Sequence, residues 1–170
     1  LPLVRQLEIA VTHNGTPIKA HLDFVFASNH PRPTVRIVEI KSCQKLPDCL
    51  YAAYEMQVYG QVGLLTRYWE ETVFSVREET GQYRFQDMAF PEIAHHLWEL
   101  NLPYNWEEVN IEAWVLCISM TDAKVFGPYG SDAGMMDAVL VKAEEFWSTI
   151  RQIKGRTLDA SSLKTTNGFN

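Results

Sequence analysis

Asp23, Glu39 and Lys41 are residues of the types that hydrolyse phosphate esters, and they lie close together in the sequence. The segment Val38-Glu39-Ile40-Lys41 is rich in β-branched residues and predicts a strand, so Glu39 and Lys41 should share one face. The carboxylate there can bind a divalent metal ion, while the amine orients a water or neutralises charge on a phosphate. Asp23, on the preceding predicted strand, would add a second hard oxygen ligand. The alternative is a solvated Glu-Lys pair on an edge strand.

A helical pattern begins near Leu50, with Asp48 as a candidate cap. Gln57 and Gln61 are four residues apart in this helix, so both project from one face beside Tyr54. Polar side chains on a face that packs against a sheet would hold a water, the lysine or a phosphate. Alternatively, the pair lies on the exposed side of the helix.

The elements that must position these residues follow from periodicity and turn signals. The order β, β, β, α, then a β region and a final helix, predicts the α/β class, with a mixed central sheet flanked by helices. Ser131 or Asp132 is the candidate cap of the final helix, and Gly155 its predicted end. The predicted segments are a hairpin of strands 4–12 and 17–27 around Asn14-Gly15, a strand at 35–41, a hairpin at 72–78 and 83–90, a short helix at 91–100, strands at 112–120 and 124–126, and a long helix reaching about residue 153.

Composition limits the class of protein. The 170 residues are 46% hydrophobic and 21% charged, which predicts a single folded domain and excludes an intrinsically disordered chain. No apolar run approaches the roughly 18 residues of a membrane-spanning helix, so we expect a soluble protein. The net charge of −6 excludes a charge-driven, sequence-blind nucleic-acid binder, although a site that binds divalent metal brings its own positive charge. Three cysteines and no signal peptide favour a cytoplasmic protein with free thiols.

The joint order of these residues resembles the PD-(D/E)xK phosphodiesterase superfamily, and within it the RecB-like and λ-exonuclease-like (YqaJ viral recombinase) branch. Ala20-His21-Leu22-Asp23-Phe24 matches the aspartate strand, Val38-Glu39-Ile40-Lys41 the Glu-x-Lys strand, and the helix with Gln57 the glutamine helix. The resemblance implies a restriction-endonuclease-like core. It also implies that Asp23, Glu39 and the Ile40 carbonyl bind Mg²⁺ or Mn²⁺, and that Lys41 and Gln57 are catalytic.

The function that the resemblance implies is a metal-dependent DNA nuclease, namely an exonuclease of a phage or prophage recombination system. The nuclease domain would span residues 1–155 and lack an N-terminal helix, with a flexible tail at 156–170. By resemblance, the partners are DNA, a single-strand annealing protein and further copies of the chain. The rival hypothesis is a catalytically silent nuclease-fold protein that binds DNA or a protein partner.

Further residues near the motif are candidates for substrate contacts. The family takes one more ligand from a helix before the first strand, and Glu8 is the nearest substitute in this chain. His21 is a candidate for touching the metal or a phosphate. The predicted substrate-binding residues are Gln61, Tyr54, Lys19, Arg36 and Lys45.

Overall fold

The computed structural model describes residues 3–166 of the chain, with side chains through residue 156. The chain contains both strands and helices, with a mixed sheet flanked by helices, so the predicted α/β class is confirmed. The elements are β1 (Leu3–His13), β2 (Thr16–Ser28), β3 (Thr34–Ser42), α1 (Ala52–Arg67), β4 (Phe74–Arg77), β5 (Tyr83–Met88), α2 (Phe90–Trp98), a short 3₁₀ helix (Trp106–Glu108), β6 (Asn110–Ile118), β7 (Ala123–Tyr129) and α3 (Ala133–Thr166).

The strands form one seven-stranded mixed sheet in the order β5-β4-β1-β2-β3-β6-β7. Neighbouring strands are antiparallel except β3 and β6, which are parallel and are joined by a crossover containing α1, β4, β5 and α2. β3 therefore lies inside the sheet between β2 and β6, although its pairing with β2 ends at Val38. The alternative of a solvated pair on an edge strand is wrong for Glu39, which is buried.

One hydrophobic cluster holds the sheet and its helices together. The interior strands supply fully buried β-branched residues such as Val25, Val35 and Ile37, because a strand with neighbours on both sides is screened from water. α1 lies against β6 and α3, and Gly63 allows α3 to come close, since a Cβ there would lie 2.8 Å from Met136 Cγ. Among the residues that the structure describes, no helix is both long and apolar enough to cross a membrane.

The helix ends differ in part from the sequence prediction. The cap of α1 is Tyr51, in extended conformation and without a side-chain hydrogen bond, so the prediction of Asp48 is wrong. Asp132 is confirmed as a cap of α3, because its Oδ1 accepts a hydrogen bond of 2.9 Å from Met135 N. α3 continues past Gly155 to Thr166. A single glycine costs a helix only about 1 kcal/mol, which good helix formers on either side can offset.

Candidate active site

Glu39 is the centre of a polar cluster between β3 and α1. It is buried, and both of its carboxylate oxygens accept hydrogen bonds from α1: Oε1 from Gln57 Nε2 at 2.9 Å and Oε2 from Gln61 Nε2 at 3.1 Å. Lys41 Nζ lies 3.1 Å from Oε1. Burial removes the water molecules that would solvate the carboxylate charge. Here two amide donors and an ammonium group take the place of that water. Gln61 is itself buried, so the alternative that the glutamine pair faces solvent is wrong for Gln61. Gln57 is exposed, but its amide still reaches Glu39.

The amine of Lys41 is held from two sides. One contact is the ion pair with Glu39, and the other is the ring of Tyr54, whose centroid lies 4.9 Å from Nζ. Tyr54 is in turn packed edge-on against Tyr51 at 5.6 Å between centroids. A cation over an aromatic face is favoured by the ring quadrupole, so the ammonium position is restricted although the side chain is 21% exposed.

Asp23 lies where β2 and β3 separate. Pairing of these strands runs from Ser28 and Thr34 to Phe24 and Val38. Beyond that point the carboxylate of Asp23 takes the place of a strand partner, since Oδ2 accepts a hydrogen bond of 3.0 Å from the backbone N–H of Ile40. The acid is thereby brought to the residue that follows Glu39.

The pairing of β1 with β2 is irregular at the same place. Paired positions are present on both sides, but the register skips Gln6 and Asp23. Gln6 has a φ of 54°, a left-handed conformation that costs a non-glycine residue about 1–2 kcal/mol. Its side chain donates a hydrogen bond of 3.0 Å to Asp23 Oδ1. Strained backbone of this kind concentrates at functional sites, and here it supports one of the two candidate metal-binding carboxylates.

A second polar cluster surrounds Glu8, another buried carboxylate. Its Oε2 lies 3.3 Å from Lys19 Nζ, 3.2 Å from His21 Nε2 and 3.7 Å from Arg77 Nε, and its Oε1 accepts a hydrogen bond of 3.3 Å from the Tyr83 hydroxyl. Burial alone would raise the pKa of Glu8, but the hydrogen bonds and the charge of Lys19, with His21 and Tyr83, lower it below its ordinary value. Glu8 therefore lies in surroundings that stabilise a charged carboxylate shared by several ion pairs. Glu8 as an additional metal ligand stays a prediction.

His21 and Asp23, predicted to share a face, have different partners. His21 contacts Glu8, whereas Asp23 contacts Gln6 and Ile40. The structure therefore assigns His21 to the cluster around Glu8. Direct contact of His21 with a metal or a phosphate stays a prediction.

The structure does not bring Arg36 to Glu39. Pairing of β3 with β6 is continuous from Thr34 to Ser42, so residues three apart point to opposite faces. Arg36 instead forms a 2.6 Å ion pair with Glu112, which lowers the pKa of that carboxyl group against the raising effect of its burial. Lys45 is exposed in the segment between β3 and α1, and its role in substrate binding stays a prediction.

Sequence reasoning missed Gln6, Arg77 and Tyr83. β4 pairs with β1, with Ser75 opposite Glu8, so residues far along the chain reach the carboxylate. No local pattern reveals such a pairing. The available signal was Glu8 itself, a charged residue between the apolar Leu7 and Ile9 in a predicted strand.

All three cysteines are free thiols. Cys117 lies on β6 directly opposite Lys41, and its burial, together with the neighbouring thiol of Cys43, raises its pKa.

The ligand set is small. Within residues 3–156, whose side chains the structure describes, no group of three His, Cys, Asp or Glu side chains is placed to hold a metal ion. Two carboxylates, Asp23 and Glu39, flank the backbone of Ile40, and Mg²⁺ commonly binds proteins through one or two carboxylates while keeping several waters. Gln61 Oε1 is a buried acceptor for which the described residues supply no hydrogen-bond donor. These features fit a hydrated hard cation.

A scan of protein-family models found no match, and no curated protein matches the chain. Among solved structures, one titled "Crystal structure of SSO0001" is similar with a TM-score of 0.43 and 9% sequence identity. The matched region covers 85% of this chain and 50% of that one, so the chain spans about half the length of its structural neighbour.

Proposed function

We propose that this protein is a metal-dependent DNA nuclease built on a restriction-endonuclease-like core of the PD-(D/E)xK type. The observation that carries the proposal is the arrangement around Glu39. A buried carboxylate is held by two glutamines of α1, a restrained lysine amine lies 3.1 Å away, and Asp23 is hydrogen-bonded to the next residue of the strand. A buried charge is costly unless it is paired and hydrogen-bonded, and clusters of titratable groups arranged in this way are concentrated at functional sites.

The proposed cofactor is Mg²⁺ or Mn²⁺, with the carboxylates of Asp23 and Glu39 and the carbonyl of Ile40 as its protein ligands. When bound, such an ion lowers the pKa of water and stabilises negative charge on a phosphate. A carboxylate offers about four lone-pair sites; Gln57 and Lys41 occupy those of Oε1 and Gln61 one of Oε2, so one site on Oε2 is left for a cation.

Each protein group has a role in this proposal. Lys41, as the ammonium paired with Glu39, positions the attacking water and offsets charge developing on the phosphate, and the proton of that water passes to solvent. Gln57 and Gln61 fix the orientation of Glu39, and the unpaired Oε1 of Gln61 accepts a hydrogen bond from a water in the site. Tyr54 keeps the Lys41 amine near Glu39.

The test is cleavage of linear duplex and single-stranded DNA with Mg²⁺ or Mn²⁺, comparing the wild type with Lys41→Met and Glu39→Gln. Removing one preorganised electrostatic group typically costs about 10²–10³-fold in rate, so we expect both variants to lose at least about 100-fold. Lys154→Met, a change at an exposed position of α3, is the control for loss of one positive charge. Degradation that is undiminished in both Lys41→Met and Glu39→Gln would not arise at the cluster around Glu39 and would contradict the proposal.

We further propose that the enzyme is an exonuclease of a recombination system, working with a single-strand annealing protein and as a homo-oligomer. The substrate form tests the first part, because an exonuclease degrades linear DNA and leaves covalently closed circles intact. Nicking of the circles would make the protein an endonuclease.

The rival function is a catalytically silent domain that binds DNA or a protein partner. The observation that favours it is the small ligand set, since the described residues place no third ligating side chain beside Asp23 and Glu39. DNA binding without cleavage in either metal would support the rival and exclude the nuclease.

A further inference from the structure

The cluster around Glu8 combines a buried carboxylate with exposed basic side chains. The side chain of Glu8 is 7% exposed, whereas Lys19, His21 and Arg77 are 53%, 47% and 45% exposed. All three approach the same oxygen, Oε2, so one negative charge anchors them in a group. With Lys19 and Arg77 both charged, the group keeps a net positive charge at neutral pH in a protein whose overall charge is −6.

Arg77 is fixed in place by more than its ion pair. Its guanidinium carbon lies 3.8 Å above the ring of Tyr83, and its terminal nitrogens donate to Gly81 O at 2.8 Å and to the Tyr83 hydroxyl. Nε lies 3.7 Å from Glu8 Oε2, too far for a hydrogen bond, so two of the five N–H donors are used and three remain. The ammonium of Lys19, which has three donors, directs one to Glu8 and is half exposed.

We propose that Lys19, His21 and Arg77 form a subsite that binds a backbone phosphate of a nucleic-acid strand, with Glu8 as the positioning residue that holds the three basic side chains together. Guanidinium and ammonium groups with free donors are the usual partners of phosphate oxygens. The inference rests on the proposed nuclease function. It states how the nucleic-acid substrate of that nuclease is held beside the cluster around Glu39.

The location connects the two clusters. Lys19 and His21 line a cleft of about 450 Å³ that is also lined by Gln57 and Gln61, the residues that hold Glu39. At about 3.3 Å per residue of strand, His21 lies roughly 7 Å and Lys19 roughly 13 Å along β2 from Asp23. With the rise of about 3.4 Å per nucleotide of duplex DNA, these distances correspond to about two to four nucleotides of duplex from Asp23.

The experiment measures binding without chemistry. A fluorescent single-stranded oligonucleotide is titrated in EDTA at several salt concentrations against the wild type, Lys19→Ala and Arg77→Ala. Losing a charge-assisted phosphate contact should weaken binding about tenfold at low salt. The slope of log K against log salt should also fall by about 0.7 per lost contact. Arg84→Ala is the matched control, because Arg84 carries the same charge on the same hairpin but packs over Phe85. Equal effects of Arg77→Ala and Arg84→Ala would overturn the subsite.

Glu8→Gln tests the positioning role. The substitution adds net positive charge, so general electrostatics predicts tighter binding, whereas loss of the anchor predicts weaker binding and a smaller salt slope. We expect the second result, in protein whose thermal melting shows that it is folded, and tighter binding would refute the role of Glu8. If this variant does not fold, Lys19→Ala and Arg77→Ala decide the proposal alone.

Oligonucleotides with and without a 5′-phosphate identify which phosphate is bound. An effect of Arg77→Ala on both indicates an internal phosphate, an effect confined to the phosphorylated strand indicates a terminal one, and an effect on neither overturns the subsite. Because the assay contains no metal and needs no cleavage, failure of the nuclease proposal leaves its result valid. Conversely, if the protein cleaves DNA but Arg77→Ala leaves its DNA affinity unchanged, only the subsite proposal is refuted.

Discussion

Replacement of Glu39 by glutamine should destabilise the protein markedly, in contrast to the stabilisation often seen when a strained catalytic group is removed. The buried carboxylate accepts hydrogen bonds from Gln57 and Gln61 and pairs with Lys41. In Glu39→Gln, one oxygen becomes an NH₂ group that must face an amide donor, and the lysine loses its counter-charge.

The magnitude follows from the burial of each partner. A hydrogen bond to a charged group contributes about 1.5–3 kcal/mol, and breaking a buried ion pair costs about 3–5 kcal/mol. Because the Lys41 side chain is 21% exposed and can be partly hydrated, we expect a loss of about 3 kcal/mol. For a chain of this length that corresponds to a fall in Tm of roughly 6–12 °C.

Thermal and urea unfolding followed by circular dichroism in EDTA at pH 7 would measure this loss. Glu144→Gln is the control, since Glu144 is 40% exposed and lies 3.5 Å from His13 across the surface. Its loss should cost less than about 1 kcal/mol. A Glu39→Gln protein that is as stable as Glu144→Gln, or more stable than the wild type, would refute the network around Glu39.

Three further predictions concern metal binding, helix packing and pH. Mg²⁺ at about 100 times its Kd should stabilise the wild type by about 2.7 kcal/mol in thermal unfolding, and Asp23→Asn should abolish most of this gain; an equal gain in both would place the ion elsewhere. Gly63→Ala should cost about 1–3 kcal/mol in urea unfolding, because the new methyl group would lie 2.8 Å from Met136 Cγ, whereas Gly155→Ala, with open space around it, should be neutral or stabilising. The lowered pKa of Glu8 makes its contribution to stability complete above its ordinary pKa near 4.5 and lost as pH falls toward the folded value, so unfolding of Glu8→Gln should depend less on pH below about 5. A parallel acid dependence of wild type and Glu8→Gln would show that Glu8 carries no such linkage.

Much of the candidate site follows from local sequence pattern. The Glu-x-Lys spacing on a β-branched strand places Glu39 and Lys41 together, and the spacing of four places Gln57 and Gln61 on one helical face, as their bonds to Glu39 show. These inferences succeed because they depend only on the periods of strand and helix. Arg36 is close to Glu39 in the sequence, but closeness in sequence is misleading here. Because side chains alternate along a strand, a residue three positions from Glu39 lies on the opposite face, where Arg36 pairs with Glu112.

The sequence alone was enough to indicate the hairpin at Asn14-Gly15, the α/β class and the residue types at the end of β3, because each is set by interactions between near neighbours along the chain. Only the tertiary structure decided that β3 is an interior strand, that the sheet register skips Gln6 and Asp23, and that β4 brings Arg77 to Glu8. Strand order and register depend on the summed burial and hydrogen bonding of the entire sheet. These energies cannot be inferred from a short segment of sequence, so contacts between distant strands are seen only in the folded structure.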